Sequence, residues 1–250
     1  MIQLRCHEDL ERLVMTMGFL PFFKNEIPNF SVEEVTSSEF WFSHENEGAW
    51  EWKGPVVRNG KCVYGKLFNG KAGFVSLDWF PELVNYRRYD HPILNIPGTT
   101  NFGHNDHLIY DAVVTHESLL SKEIKALCGF NTPRKKKKVD SLLVDEIESP
   151  IQKRSYVGPR ESFEAVMTRL QMNTYLIIAD FEYLLNRHQQ PYGWGIARYT
   201  SPELLFGKSL VVSCNRHSKE TSLRRILTHL HKTLPQATDR QIMKLIGEYD

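Results

Sequence analysis

Two Asn-Gly dipeptides, Asn59-Gly60 and Asn69-Gly70, lie close together among β-branched and aromatic residues, and no other feature of the 250-residue chain constrains its fold as tightly. A two-residue hairpin turn of type I′ needs positive φ at both central positions, which Asn-Gly supplies most readily, and it joins antiparallel strands. Val56-Val57 precede the first dipeptide, Cys62 to Phe68 separates the two, and Ala72 to Val75 follows the second. The spacing predicts a small antiparallel β-meander of three short strands. Trp50-Glu51-Trp52 just upstream is read as a further strand with two packed indoles.

Around this meander the N-terminal part is helical. Leu4, Leu10, Leu13, Val14 and Met17 recur at helical spacing before Gly18, and Ser31 with Glu34 three residues later forms a capping-box pattern. Asp78 to Leu83 reads as a helix start closed by Arg87-Arg88, and Tyr89 to Asp106, rich in Pro, Gly, Asn and His, as a long surface connection.

The second half changes character. Ser118 caps a predicted helix running to Gly129, Val139 to Ile147 suits a second, and Arg160 to Met172 a third with Phe163, Val166, Met167 and Leu170 on its apolar side. Two β-rich runs, Tyr175 to Tyr183 and Tyr192 to Tyr199, flank a polar tip. Three helices followed by a two-stranded wing is the order of a winged helix-turn-helix module. Pro202 to Phe206, Lys219 to Thr233 and Thr238 to Glu248 complete the chain as helices. The expected class is α+β, with an N-terminal part at 1–114 and a winged-helix part with C-terminal helices at 115–250.

Charge separates the same halves. Residues 1–115 carry 10 Lys and Arg against 15 Asp and Glu, and residues 116–250 carry 21 against 15. A polyanion would therefore meet the second half. The run Arg134, Lys135, Lys136, Lys137, Lys138 can neutralise several phosphates, which makes binding steeply salt-dependent. Lys153, Arg154, Arg160, Arg169 and, in the wing, Arg187 share the module, and Gln171 belongs to a residue type that makes bidentate contacts with adenine.

Catalytic signals are sparse. Glu51 between two indoles and Asp111 are the carboxylates considered for acid or base work. His104, His107, Asp111 and His116 offer metal donors but lack a helical H-E-x-x-H context, and the four cysteines form no C-x-x-C pair and read as buried thiols. No Walker loop, dinucleotide fingerprint or G-x-S-x-G occurs, so neither a metal nor a cofactor is expected. No run of 18 apolar residues is present, and Met1 to Arg12 lacks a signal pattern, so a cytoplasmic protein with no membrane association is expected.

Trp50-Glu51-Trp52-Lys53-Gly54-Pro55, Tyr64-Gly65-Lys66, Gly70-Lys71-Ala72-Gly73-Phe74, Leu170-Gln171-Met172 and Tyr192-Gly193-Trp194-Gly195-Ile196 resemble the short bacterial AlkZ-related proteins over about residues 40–205. Those proteins are similar to the AlkZ and YcaQ winged-helix DNA glycosylases, which unhook alkylated or crosslinked bases. The resemblance implies duplex DNA as partner and a link to DNA repair. The glycosylases' Gln-x-Gln or Gln-x-Asp motif does not occur in this shorter chain. The expectation is thus a winged-helix DNA-binding protein, with two alternatives: a glycosylase using Glu51 or Asp111, and a protein-interaction scaffold without DNA.

Overall fold

The computed structural model describes residues 3–41, 47–89, 93, 103–130, 161–185, 187–188 and 191–247, with side chains throughout except at 184–185 and 191–194. Helix α1 (His7–Met17) buries Leu10, Leu13 and Val14 and ends at Gly18, whose φ of 73° suits the glycine that closes a helix. Strand β1 (Phe19–Pro21) and helix α2 (Val32–Val35) follow. The Ser31 hydroxyl accepts the Glu34 N–H at 3.2 Å and donates to its carboxylate at 2.6 Å, as the capping pattern predicts. Helix α3 (Ser38–Trp41) leads toward α4 (Ala49–Arg58).

In α4 the structure corrects the sequence reading. Trp50-Glu51-Trp52 and Val56-Val57 are helical, and the buried set Ala49, Trp52, Lys53, Val56 and Val57 follows i, i+3, i+4, i+7, i+8 rather than alternation. Gly54 and Pro55 inside the helix disguise that period. The two Asn-Gly pairs accordingly do different work. Gly60, at φ 68°, follows the helix end while Asn59 stays at φ −65°; Asn69 and Gly70, at φ 47° and 73°, make the hairpin turn from β2 (Cys62–Phe68) to β3 (Lys71–Ser76). The third strand of the meander is β1, paired with β3 through Phe19 and Val75. It passes so close that a Cβ on Gly73 would stand 2.8 Å from the Leu20 carbonyl and 2.5 Å from the Phe68 ring.

Helix α5 (Phe80–Arg88) agrees with the sequence reading, whereas α6 (His104–Thr115) occupies the end of the expected loop. Its start is fixed by Asp106, whose carboxylate accepts the Gly103 N–H at 2.8 Å. Leu119 and Leu120, expected in a helix, form strand β4 (Leu119–Leu120), because both bury against a neighbouring strand; α7 (Ser121–Leu127) begins after them. The predicted helix at Val139 to Ile147 lies outside the described residues. Next come α8 (Phe163–Met172), β5 (Ile177–Leu185), β6 (Pro191–Thr200), α9 (Pro202–Phe206), α10 (Lys208–Val211), α11 (Lys219–Thr233) and α12 (Asp239–Ile246). Thr238 and Gln241 cap α12 reciprocally, as their spacing predicts.

The strands form one antiparallel sheet in the order β1-β3-β2-β5-β6-β4. Residue 115 marks no break in it, since β2 and β5 join through Tyr64 and Ile178. The strands are covered on both faces. Phe19, Val63, Val75 and Ile177 pack with α5, α11 and α12, while Leu20, Tyr64, Phe74 and Ile178 pack with α1 and α4. That double burial explains the nearly continuous apolar reading of β2. A third cluster gathers α6, α7 and α8 around Ile109, Ile124 and Leu170. Of the four cysteines, Cys62 is buried, the other three are half-buried, and all are free.

Candidate functional site

The helical stripe that makes α4 amphipathic places a cation where a hydrophobe belongs. Lys53 is 7% exposed, its Nζ 4.7 Å from the centroid of the Trp50 ring and 4.6 Å from that of Phe181 on β5. The geometry is that of a cation between two π faces. Burial pushes its pKa down to about 8, opposed in part by the charge of Glu51. A lysine in this state offers some neutral amine near physiological pH, which an exposed lysine does not. On β5, burial and then Glu51 raise the Tyr183 phenol. An ion pair at 2.8 Å between Arg58 and Asp180 ties α4 to the same strand. An amine, a carboxylate, a phenol and two aromatic walls thus share the α4–β5 junction.

Glu51, considered as a catalytic carboxylate, is exposed, and it accepts the Gly48 N–H at 3.0 Å to cap α4. Asp111 is exposed on the outer side of α6, a different helix. The sequence reading passed over Lys53, although it lies in the Trp50–Pro55 motif. Its signal was available, since a helical rather than alternating period in that motif puts Lys53 on the buried stripe.

The third helix of the expected module, the one that carries Gln171, is enclosed. One side of α8 packs on α6 and α7, and the other meets β2 and the hairpin turn. Gln171, expected off the apolar face, is fully buried, donating to the Met167 carbonyl at 2.9 Å and accepting the Lys66 N–H at 3.0 Å. Gly65 makes that approach feasible, as a Cβ there would stand 3.3 Å from the Gln171 amide oxygen. The Lys66 ammonium donates to Thr168 at 2.9 Å. Arg169 is bidentate to the buried Asp106, at 2.8 and 2.7 Å, and also pairs with Glu161. What α8 leaves outward is Glu164, 65% exposed in its side chain and paired with Lys125 at 2.9 Å.

Arg187 is exposed in the turn between β5 and β6. Arg134, Lys135, Lys136, Lys137, Lys138, Lys153, Arg154 and Arg160 lie outside the described residues. The ligand atoms of His104, His107, Asp111 and His116 do not converge among the described residues. His229 stacks on Trp79 at 4.1 Å between centroids, with its Nε2 2.8 Å from the Met17 carbonyl. No helix among the described residues is long and apolar enough to cross a membrane.

A family model described as AlkZ related matches residues 4–247. No curated protein and no solved structure matches the chain.

Proposed function

The chain belongs to the AlkZ-related family, and from that premise we propose that it is a winged-helix protein that binds duplex DNA in the service of DNA repair. One observation carries the reading. Among the described residues, the order α6, β4, α7, α8, β5, β6, with β4 lying antiparallel to β6 on the far side of the β5–β6 hairpin, fits the helix, strand, helix, helix, hairpin order of a winged helix. In this reading the first helix of the module is α6 and the wing is the β5–β6 hairpin that carries Arg187.

The enclosure of α8 restricts how such a module meets DNA. With Gln171 and Arg169 committed internally, base edges are not read by that helix, and contact falls to phosphate-directed cations, Arg187 and the Arg134 to Lys138 run. Phosphate contacts position a protein without carrying sequence information. Unrelated duplexes should therefore bind with similar affinity. Fluorescence anisotropy between about 50 and 200 mM salt tests this, because each neutralised phosphate contributes roughly one unit to the log–log slope. Changing Lys135 to Lys138 to glutamine should weaken binding and flatten that slope. Unchanged affinity and slope would remove the assignment and favour a protein-interaction scaffold.

A second reading, base release from alkylated DNA, is favoured by the grouping of Glu51, Lys53 and Tyr183 at the α4–β5 junction. Chemistry on a base requires it to leave the stack, and aromatic walls with a carboxylate suit an extruded nucleotide. Glu51→Gln should then cut release by at least about a hundredfold, the scale of a positioned acid or base. Equal release by both proteins would clear Glu51 of the role.

A further inference from the structure

We infer that Glu82, Cys214 and His217 form a zinc-binding site on the face of the protein opposite α1 and α4. The Glu82 carboxylate, the Cys214 Sγ and a His217 ring nitrogen all lie within 4.8 Å of one another. Cys214 and His217 come from one tight turn after α10, in which the His217 N–H donates to the Cys214 carbonyl at 2.8 Å, so the backbone itself sets the two ligands side by side. Glu82 comes from α5 and is 2% exposed. An ion here would tie the turn to α5.

The distances suit one tetrahedral ion. Nitrogen and oxygen ligands about 2.0–2.1 Å from zinc stand roughly 3.3 Å apart along a tetrahedral edge. His217 Nδ1 and Glu82 Oε2 are 3.2 Å apart. The supporting shell is also in place. The Ser222 hydroxyl donates to Glu82 Oε2 at 2.6 Å, and the Asn85 amide donates both to that hydroxyl, at 2.9 Å, and to the His217 carbonyl, at 3.0 Å. Such outer partners orient ligands for a metal. A thiolate, a carboxylate and a neutral imidazole balance the two charges of zinc, leaving a fourth position open.

Two contacts compete for the site, the first being the hydrogen bond that the His217 Nδ1–H donates to Glu82 Oε2 at 3.2 Å. In the second, Arg225 Nε lies 2.6 Å from Glu82 Oε1, but its side chain is 55% exposed and can turn to water. Zinc entry then means that the Cys214 thiol releases its proton to solvent, the His217 ring shifts its proton from Nδ1 to Nε2, the sulfur–metal and Nδ1–metal bonds form, and Arg225 leaves Oε1. The competition gives the site a distinguishing property, because removing Arg225 should tighten metal binding.

The test uses the full chain, stripped with chelator and titrated with cobalt(II) and then zinc. Wild type should show a thiolate-to-cobalt charge-transfer band and tetrahedral visible bands, both displaced by one equivalent of zinc. Cys214→Ser should abolish the charge-transfer band, His217→Ala should weaken affinity at least tenfold, and Arg225→Ala should strengthen it severalfold. Absence of the band from both wild type and Arg225→Ala under excess cobalt would overturn the site. So would metal binding that survives Cys214→Ser unchanged, which would place the ion elsewhere. Because the deciding measurements are on wild type and on a variant at an exposed residue, a folding failure in the ligand variants leaves the test intact.

Discussion

Replacing Arg87 with methionine should cost about 3–5 kcal/mol of stability, because it strands three buried backbone carbonyls. Arg87 is 1% exposed, and its guanidinium donates to the carbonyls of Met172 and Leu67, both at 2.7 Å, and of Ile246, at 3.0 and 3.3 Å. Met172 closes α8 and Ile246 closes α12, and carbonyls at a helix C-terminus have no partner within their own helix. They also form the negative end of the helix dipole, where a cation is favoured. One side chain thus caps two helices and the end of β2. Methionine fills the volume but leaves three buried acceptors, each costing about 1–3 kcal/mol. Urea unfolding measures the loss, and a change below about 1 kcal/mol would show that water reaches these carbonyls in the variant. Arg87→Lys should recover only part, since an ammonium lacks the planar fork that meets three acceptors at once.

The same residue shows what the sequence could express. Arg87-Arg88 reads as positive charge closing its own helix α5, and that local rule is correct in kind. Its actual targets are carbonyls of residues 67, 172 and 246, separations at which no periodicity speaks. Local signals did well where one turn decides the outcome: the Ser31 and Thr238 caps, the Asn69-Gly70 hairpin and the helix from Lys219 to Thr233 all lie as predicted. They failed where a dipeptide or a Pro has two physical uses. Asn-Gly serves a hairpin or a helix end equally well, and Gly54-Pro55 masks a helical stripe in α4.

The candidate sites follow the same division. Gln171 falls outside the apolar set Phe163, Val166, Met167 and Leu170 and therefore reads as available to a base edge, because the helix has a second covered side that only the fold reveals. Cys214 and His217 form a C-x-x-H pair too short to register as a metal motif, and the third ligand, Glu82, is supplied by α5. Lys53 differs from these. Its burial was legible as soon as α4 was read with the right period, and only the two aromatic walls required the structure.

Lys53→Met should stabilise the protein at pH 7, and the gain should fade as the pH rises. The folded state releases the Lys53 proton at about 8 and the unfolded chain at 10.5. At about 1.4 kcal/mol per pH unit, that shift means that holding the charge in its buried site, aromatic contacts included, costs roughly 3 kcal/mol below pH 8. The expected gain on substitution is of that size. Between pH 8 and 10.5 the unfolded state binds more protons than the folded one, so wild-type stability rises with pH toward that of the variant, and above 10.5 the charge penalty is gone. Thermal unfolding of both proteins across this range measures the difference, and a gap that stays constant with pH would sink the account. A residue that destabilises its own fold at neutral pH calls for a use there, because a methionine would fill the same space without the penalty. If Lys53→Met gains stability while DNA binding or base release falls, the cost belongs to function; if both are kept, Lys53 is a cation held by its aromatic neighbours and nothing more.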